Sequence, residues 1–231
     1  MPSNPISLDG RFIPEVPLHP DGPGVFQTMV GMLDGNPKDA AQVEAELAKW
    51  DGVLDQIAAE QYRIASMLLG EGEVAIAAVE GVVAAIDLNS CSDPEDARHQ
   101  ARMLLAENAI ASLVQGDPAS LAAPEGESGP ASCIEDDDLS AAGVTPAELE
   151  QMISGPENRR LRQWLEGLTP QLRVIFVLRA IAGLNSAEVA GLLSLDGGEQ
   201  AQGWTPDGVR IAFRQALCSL ASQLIHLSAA R

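Results

Sequence analysis

The stretch LEGLTPQLRVIFVLRAIAGLNSAEVAGLLSL at 165–195 decides the fold, together with TPDGVRIAFRQALCSLASQL at 205–224; DGGEQAQGW at 196–204 separates the two. Thr169-Pro170 reads as a capped start with proline in the first helical turn. Leu172, Val174, Ile175, Val177, Leu178 and Ile181 follow, and Gly183 ends that helix. Asn185-Ser186-Ala187-Glu188 has the spacing of a capping box, with Val189, Leu192 and Leu193 turned inward behind it. Thr205-Pro206 opens a last helix carrying Val209, Phe213, Leu217, Leu220 and Leu224. A helix, a glycine turn, a short capped helix and a longer arginine-bearing helix follow the pattern of a helix-turn-helix, whose second helix can enter a major groove. Arg210 and Arg214 are four residues apart and share one face of that last helix; Val209 and Phe213 take the neighbouring, inward face. The arginine fork matches a phosphate or a guanine edge.

Working outward, Thr145-Pro146-Ala147-Glu148 predicts another capping box. Before it, residues 116–145 are poor in bulky apolar side chains and carry the run Glu135-Asp136-Asp137-Asp138, which reads as a flexible acidic linker. Residues 41–115 read as helices. Val43, Leu47, Trp50, Leu54, Ile57, Ile64, Met67 and Leu68 hold a three-and-four spacing, and Gly70-Glu71-Gly72 breaks it. Val74, Val79, Val82, Val83 and Ile86 suggest a second apolar face; Asp93-Pro94-Glu95-Asp96 caps a third helix with Met103, Leu104, Ile110, Leu113 and Val114. Residues 1–40, rich in Pro and Gly, read as an extended arm in which Val25–Val30 could dock. No strand pattern stands out. The expectation is an all-α chain: arm 1–40, helical module 41–115, linker 116–145 and helix-turn-helix module 146–231.

Composition agrees with helices, since 46% of the 231 residues are apolar and only 3% aromatic. No apolar run is long enough to span a membrane and no basic-then-apolar leader opens the chain. Three widely spaced cysteines, Cys91, Cys133 and Cys218, do not read as a disulfide framework, so a reducing cytoplasm is the expected location and Cys218 is expected in the apolar core. His19, His99 and His226 stand alone, so no metal site or cofactor is expected. None of the nucleophile-elbow, phosphate-loop, zincin or dinucleotide motifs is present, and no enzymatic activity is expected. The net charge of -19 is unevenly spread. Residues 156–231 hold eight arginines against six acids, a balance of +2, which leaves -21 on the first 155. DNA binding would therefore sit in the C-terminal part.

Leu168, Arg173, Phe176, Leu178, Gly183, Leu184, Glu188, Val189, Ala190, Val209, Arg210, Ala216 and Leu220 fall in the places of the pattern of region 4 of bacterial sigma factors, which 160–225 resembles. QYRIASMLLGEGEVAIAAVEGVVAAI and ARHQARMLLAENAIASLV resemble the region 2 helices that bind core polymerase and melt the promoter. The layout resembles the extracytoplasmic-function sigma factors of the sigma-70 family. That resemblance implies promoter recognition with RNA polymerase core, with promoter DNA and an anti-sigma factor as further partners. It makes Arg173, Arg179, Thr205, Arg210 and Arg214 the candidate DNA contacts and Glu73 and Glu80 the candidate polymerase contacts.

The chain also departs from the family pattern. The helix in the melting position offers Arg98, His99 and Arg102 but no aromatic residue on which an unpaired base could stack. DGGEQAQGW lengthens the turn between the two helices, and Trp204 within it reads as a staple or an exposed contact. Ala212, Gln215 and Leu217 stand at positions that are often basic, and Asp207 occupies the first turn of the last helix, where a phosphate would otherwise be favoured. Two alternatives follow: a sigma-like interaction module that has lost promoter binding, with its acidic half docking on a basic protein, and a LuxR-type helix-turn-helix regulator.

Overall fold

The computed structural model describes residues 37–87, 93–124 and 133–229. All regular structure among them is helical: α1 Pro37–Leu69, α2 Glu73–Ala85, α3 Pro94–Gly116, α4 Pro146–Ser154, α5 Asn158–Glu166, α6 Pro170–Phe176, α7 Ser186–Asp196 and α8 Pro206–Ala229, with 3-10 turns at Leu139–Ala142 and Glu199–Ala201. Among the described residues no helix is long and apolar enough to cross a membrane. The expected arm, with Val25–Val30 and His19, lies outside the described residues as far as residue 36, as does Cys91. The chain divides into a unit ending at Trp50 and a compact unit from Asp51 to Arg231, and the latter holds everything below.

The helix starts follow from their caps. The Asp93 carboxylate accepts hydrogen bonds from the backbone N–H of Glu95 (2.8 Å) and Asp96 (3.0 Å), with Pro94 in the first turn. Both capping boxes form. Thr145 Oγ1 accepts from Glu148 N–H while Glu148 Oε2 accepts from Thr145 N–H at 2.8 Å. Asn185 Oδ1 accepts from Ala187 and Glu188 N–H while Glu188 Oε2 accepts from Asn185 N–H at 2.7 Å. Thr169 differs: its side chain makes no cap bond, and the residue three positions on is Leu172 rather than an acid. α6 leaves through a π-helical turn, Val177–Ile181, in which Ala182 N–H bonds Val177 O. Gly183, at φ 71°, then lets Leu184 N–H return to Leu178 O and close the helix.

α6 and α7 both pack on α8, and α7 also meets the π-helical turn that follows α6. Phe176, fully buried, meets Trp164 edge-on at 4.9 Å and Phe213 at 6.1 Å. Val174, Ile175, Val189, Leu193, Val209 and Leu217 complete the centre of this trihelical core. Deleting a buried phenylalanine ring from such a centre costs about 3–5 kcal/mol.

The helices before residue 117 pack by a different chemistry. α3 turns Ala97, Ala101, Leu105, Ala106, Ala109 and Ile110 inward, so α2 and α7 approach over small side chains. Met103, Leu104, Leu113 and Val114 are only half-buried, contrary to the sequence expectation. α2 buries Ala75, Val79 and Val82, leaving Val74 and Ile76 exposed. Its sequence is apolar nearly all round, so periodicity could not phase the inward face.

Where the structure describes the expected linker, several of its apolar residues are buried. Leu121 is fully buried, Ala123 N–H bonds Gln200 O at 2.8 Å, and Ile134, Ala142 and Val144 are buried as well. The turn Leu139–Ala142 packs on α8. These apolar residues are too sparse to make a periodic signal, so each docks singly among Pro, Gly and acids. Charge completes the joint: Arg63 pairs with Glu150 at 2.5 Å, Arg162 with Glu71, and His99 Nε2 lies 3.5 Å from Glu188. Residues 51–115 and 146–231 lie within the one compact unit that begins at Asp51.

Candidate nucleic-acid interface

α8 begins at Thr205, whose Oγ1 accepts from Gly208 N–H at 3.1 Å, with Pro206 as its first residue. Val209, Ala212, Phe213, Ala216, Leu217 and Leu220 face the core. A 3.6-residue turn then leaves 210, 214 and 218 in a row along the outer side. Arg210 is exposed and Arg214 half-buried, and both line one recess. Their surroundings are less basic than the sequence implied. Arg210 is ion-paired with Asp207, one turn before it.

The acidic run comes to the same place. Arg214 Nη1 donates to the Glu135 carbonyl oxygen at 2.7 Å, and Arg179 Nη2 lies 3.3 Å from Asp137 Oδ2. Asp137, Asp207, Arg210, Ile211 and Arg214 line a recess of about 260 Å³. Asp138 is spent otherwise: its Oδ1 accepts from Ser140 N–H at 2.8 Å, and the Ser140 hydrogen bonds hold its carboxyl below the ordinary carboxylate range. The cysteine expectation is corrected here. Cys133 and Cys218 are joined by a disulfide with 5.8 Å between Cα atoms. Cys218 is half-buried at the end of the arginine row rather than in the core, and Cys133 is exposed.

The other candidate contacts are dispersed. Arg179 braces the turn: its Nη1 donates to Leu184 O at 3.1 Å, its guanidinium lies 5.0 Å from the Phe213 ring centre, and its side chain is 17% exposed. Thr205 is exposed with its hydroxyl engaged in the cap. Arg173 lines a different cleft, of about 800 Å³, with Ser66, Glu71, Arg159 and Arg162. Glu73 and Glu80 are both exposed on α2, Glu73 in its first turn. On α3, Arg102 Nε is 2.8 Å from Glu60 and Arg98 Nη2 donates to Gln56 at 2.8 Å; both also reach Glu95.

Trp204 is a staple. It is 6% exposed and its Nε1–H donates to Leu121 O at 2.9 Å, while Ser194 Oγ–H donates to Trp204 O. The lengthened turn 196–204 is therefore clamped to residues 121–123 and stays off the arginine row. Sequence reasoning missed the disulfide and the docking of 135–137. The available signal was position: Cys133 stands two residues before the acidic run and Cys218 four after Arg214. Comparison of the chain with family models, with curated proteins and with solved structures gives no significant match.

Proposed function

We propose that this chain is a sigma-like transcription regulator that binds duplex DNA through the arginine row of α8 and engages RNA polymerase core through Glu73 and Glu80 of α2. The observation that carries the reading is the trihelical α6–α7–α8 unit, with its closing glycine turn at Gly183, its capping box at Asn185 and, on the third helix, an exposed Arg210 with a half-buried Arg214 one turn on. A fixed helix bearing arginines four residues apart matches the requirements for gripping successive phosphates or a guanine edge. The polymerase contact rests on Glu73 and Glu80, exposed on α2, and on the family pattern at 55–115.

The test is capture of the full chain by bacterial RNA polymerase core, followed by footprinting of the DNA that the complex selects. Co-purification, a protected promoter-like site and weakened capture of Glu80→Lys at unchanged thermal midpoint are expected. Absence of core capture together with absence of duplex binding at low salt refutes the reading. A second reading, a sigma-like interaction module that has lost promoter binding, is favoured by one observation: Arg98 and Arg102 of α3 are engaged by Gln56, Glu60 and Glu95. Core capture with no DNA protection selects it.

A further inference from the structure

An acidic segment of the chain itself lies against the arginine row, with Asp137 in the recess that Arg210 and Arg214 line. Arg214 donates to the Glu135 main-chain carbonyl at 2.7 Å, and the Asp137 carboxylate lies 3.3 Å from Arg179. Two residues before Glu135, the chain is covalently fixed to the same helix by Cys133–Cys218. We propose that segment 135–137 is an internal competitor for the polyanion-binding face of α8, and that the Cys133–Cys218 disulfide is the latch that keeps it there. This rests on the DNA-binding reading above and assigns its regulation.

Three physical effects act together. Carboxylates and main-chain carbonyls accept from a guanidinium fork as phosphate oxygens do, so the same donors cannot serve both. A tether of two residues holds the competitor at an effective concentration in the millimolar range or above, enough to outcompete weak phosphate contacts. The segment also brings like charge to the surface that DNA must approach. Opening the latch is a two-electron reduction by a dithiol. One donor thiolate attacks the Cys133 sulfur and displaces Cys218 as thiolate. The second donor thiol then resolves the mixed disulfide. Two protons end on Cys133 and Cys218, and the donor leaves as a disulfide. Cys133 is exposed, so the attacking thiolate has access. Asp138 stays behind as the cap of the Leu139–Ala142 turn, which limits the freed segment to residues ahead of it.

The experiment measures binding of the full chain to a fluorescent duplex of mixed sequence at low salt. It compares the oxidised protein, the dithiothreitol-reduced protein, Cys133→Ser, and the triple variant Glu135→Gln, Asp136→Asn, Asp137→Asn. Reduction is expected to tighten binding about tenfold and to steepen the salt dependence by about 0.9 for each phosphate regained. Cys133→Ser should bind as the reduced protein does, with or without dithiothreitol. The triple variant should tighten binding while its disulfide is intact. Equal binding by oxidised, reduced and triple-variant protein, with Arg214→Ala weakening all of them, overturns the latch and leaves the DNA reading standing. No duplex binding by any form overturns both. Far-UV circular dichroism checks that the reduced protein keeps its helices. If it does not, the triple variant decides: a gain supports the latch and no gain overturns it.

Discussion

Trp204 gives the sharpest test of whether residues 117–124 are a tether or part of the core. Its indole is 6% exposed, and its N–H bonds a carbonyl that belongs to Leu121, itself fully buried. Trp204→Phe keeps most of the ring but leaves that carbonyl without its donor in a dry site, which costs about 1–3 kcal/mol. Trp204→Ala also removes the ring and its packing over Gly208, raising the loss to about 3–5 kcal/mol. Urea unfolding followed by far-UV circular dichroism measures both, with an unchanged slope showing that the native and unfolded states are otherwise comparable. Limited proteolysis provides a second readout. The native chain should resist cleavage at 119–123, and Trp204→Ala should be cut there. A Trp204→Phe loss below about 0.5 kcal/mol, the range of ordinary surface changes, would refute the hydrogen bond. Rapid cleavage of the native chain at 119–123 would refute the docking itself.

Other expectations follow from the same structure. The Cys133–Cys218 bridge spans a sequence separation of 85, for which the chain-entropy relation sets a ceiling of about 4.6 kcal/mol; about 2–4 kcal/mol should be lost on reduction or in Cys133→Ser, and an unchanged urea midpoint would count against the bridge. Gln61 is fully buried, and neither its side-chain oxygen nor its nitrogen has a hydrogen-bond partner, so Gln61→Met should raise stability by about 1 kcal/mol, with a lower urea midpoint as the contrary result. Hydrogen bonds with Thr145 hold the Glu148 carboxyl below the ordinary carboxylate range. Its folded-state pKa is thus below the unfolded one, so its contribution is complete above the unfolded value and is lost as pH falls through the folded value. Glu148→Gln should therefore be less stable than the native chain at neutral pH and converge with it in acid; a gap that persists there would contradict this assignment.

Local signals in the sequence determined the helices and where most of them start. Asp93, Thr145 and Asn185 cap as their spacing predicts because a cap needs only neighbours three residues apart, and Gly183 ends α6 because a positive φ is a local demand. The spacing of Arg210 and Arg214, one turn apart on α8, was equally legible, since helical periodicity alone fixes it. Tertiary structure decided the rest. Whether Val74 or Ala75 faces inward on α2 depends on what packs against a helix that is apolar nearly all round. Leu121 and Ile134 are buried by partners far away in the sequence, so the segment holding them had no periodicity to reveal its docking. The joining of Cys133 to Cys218, and with it the placing of Glu135 and Asp137 on the arginine row, follows from how α8 lies beside residues 133–142. Charge and cysteine counts report which groups exist; only the packed chain determines which of them meet.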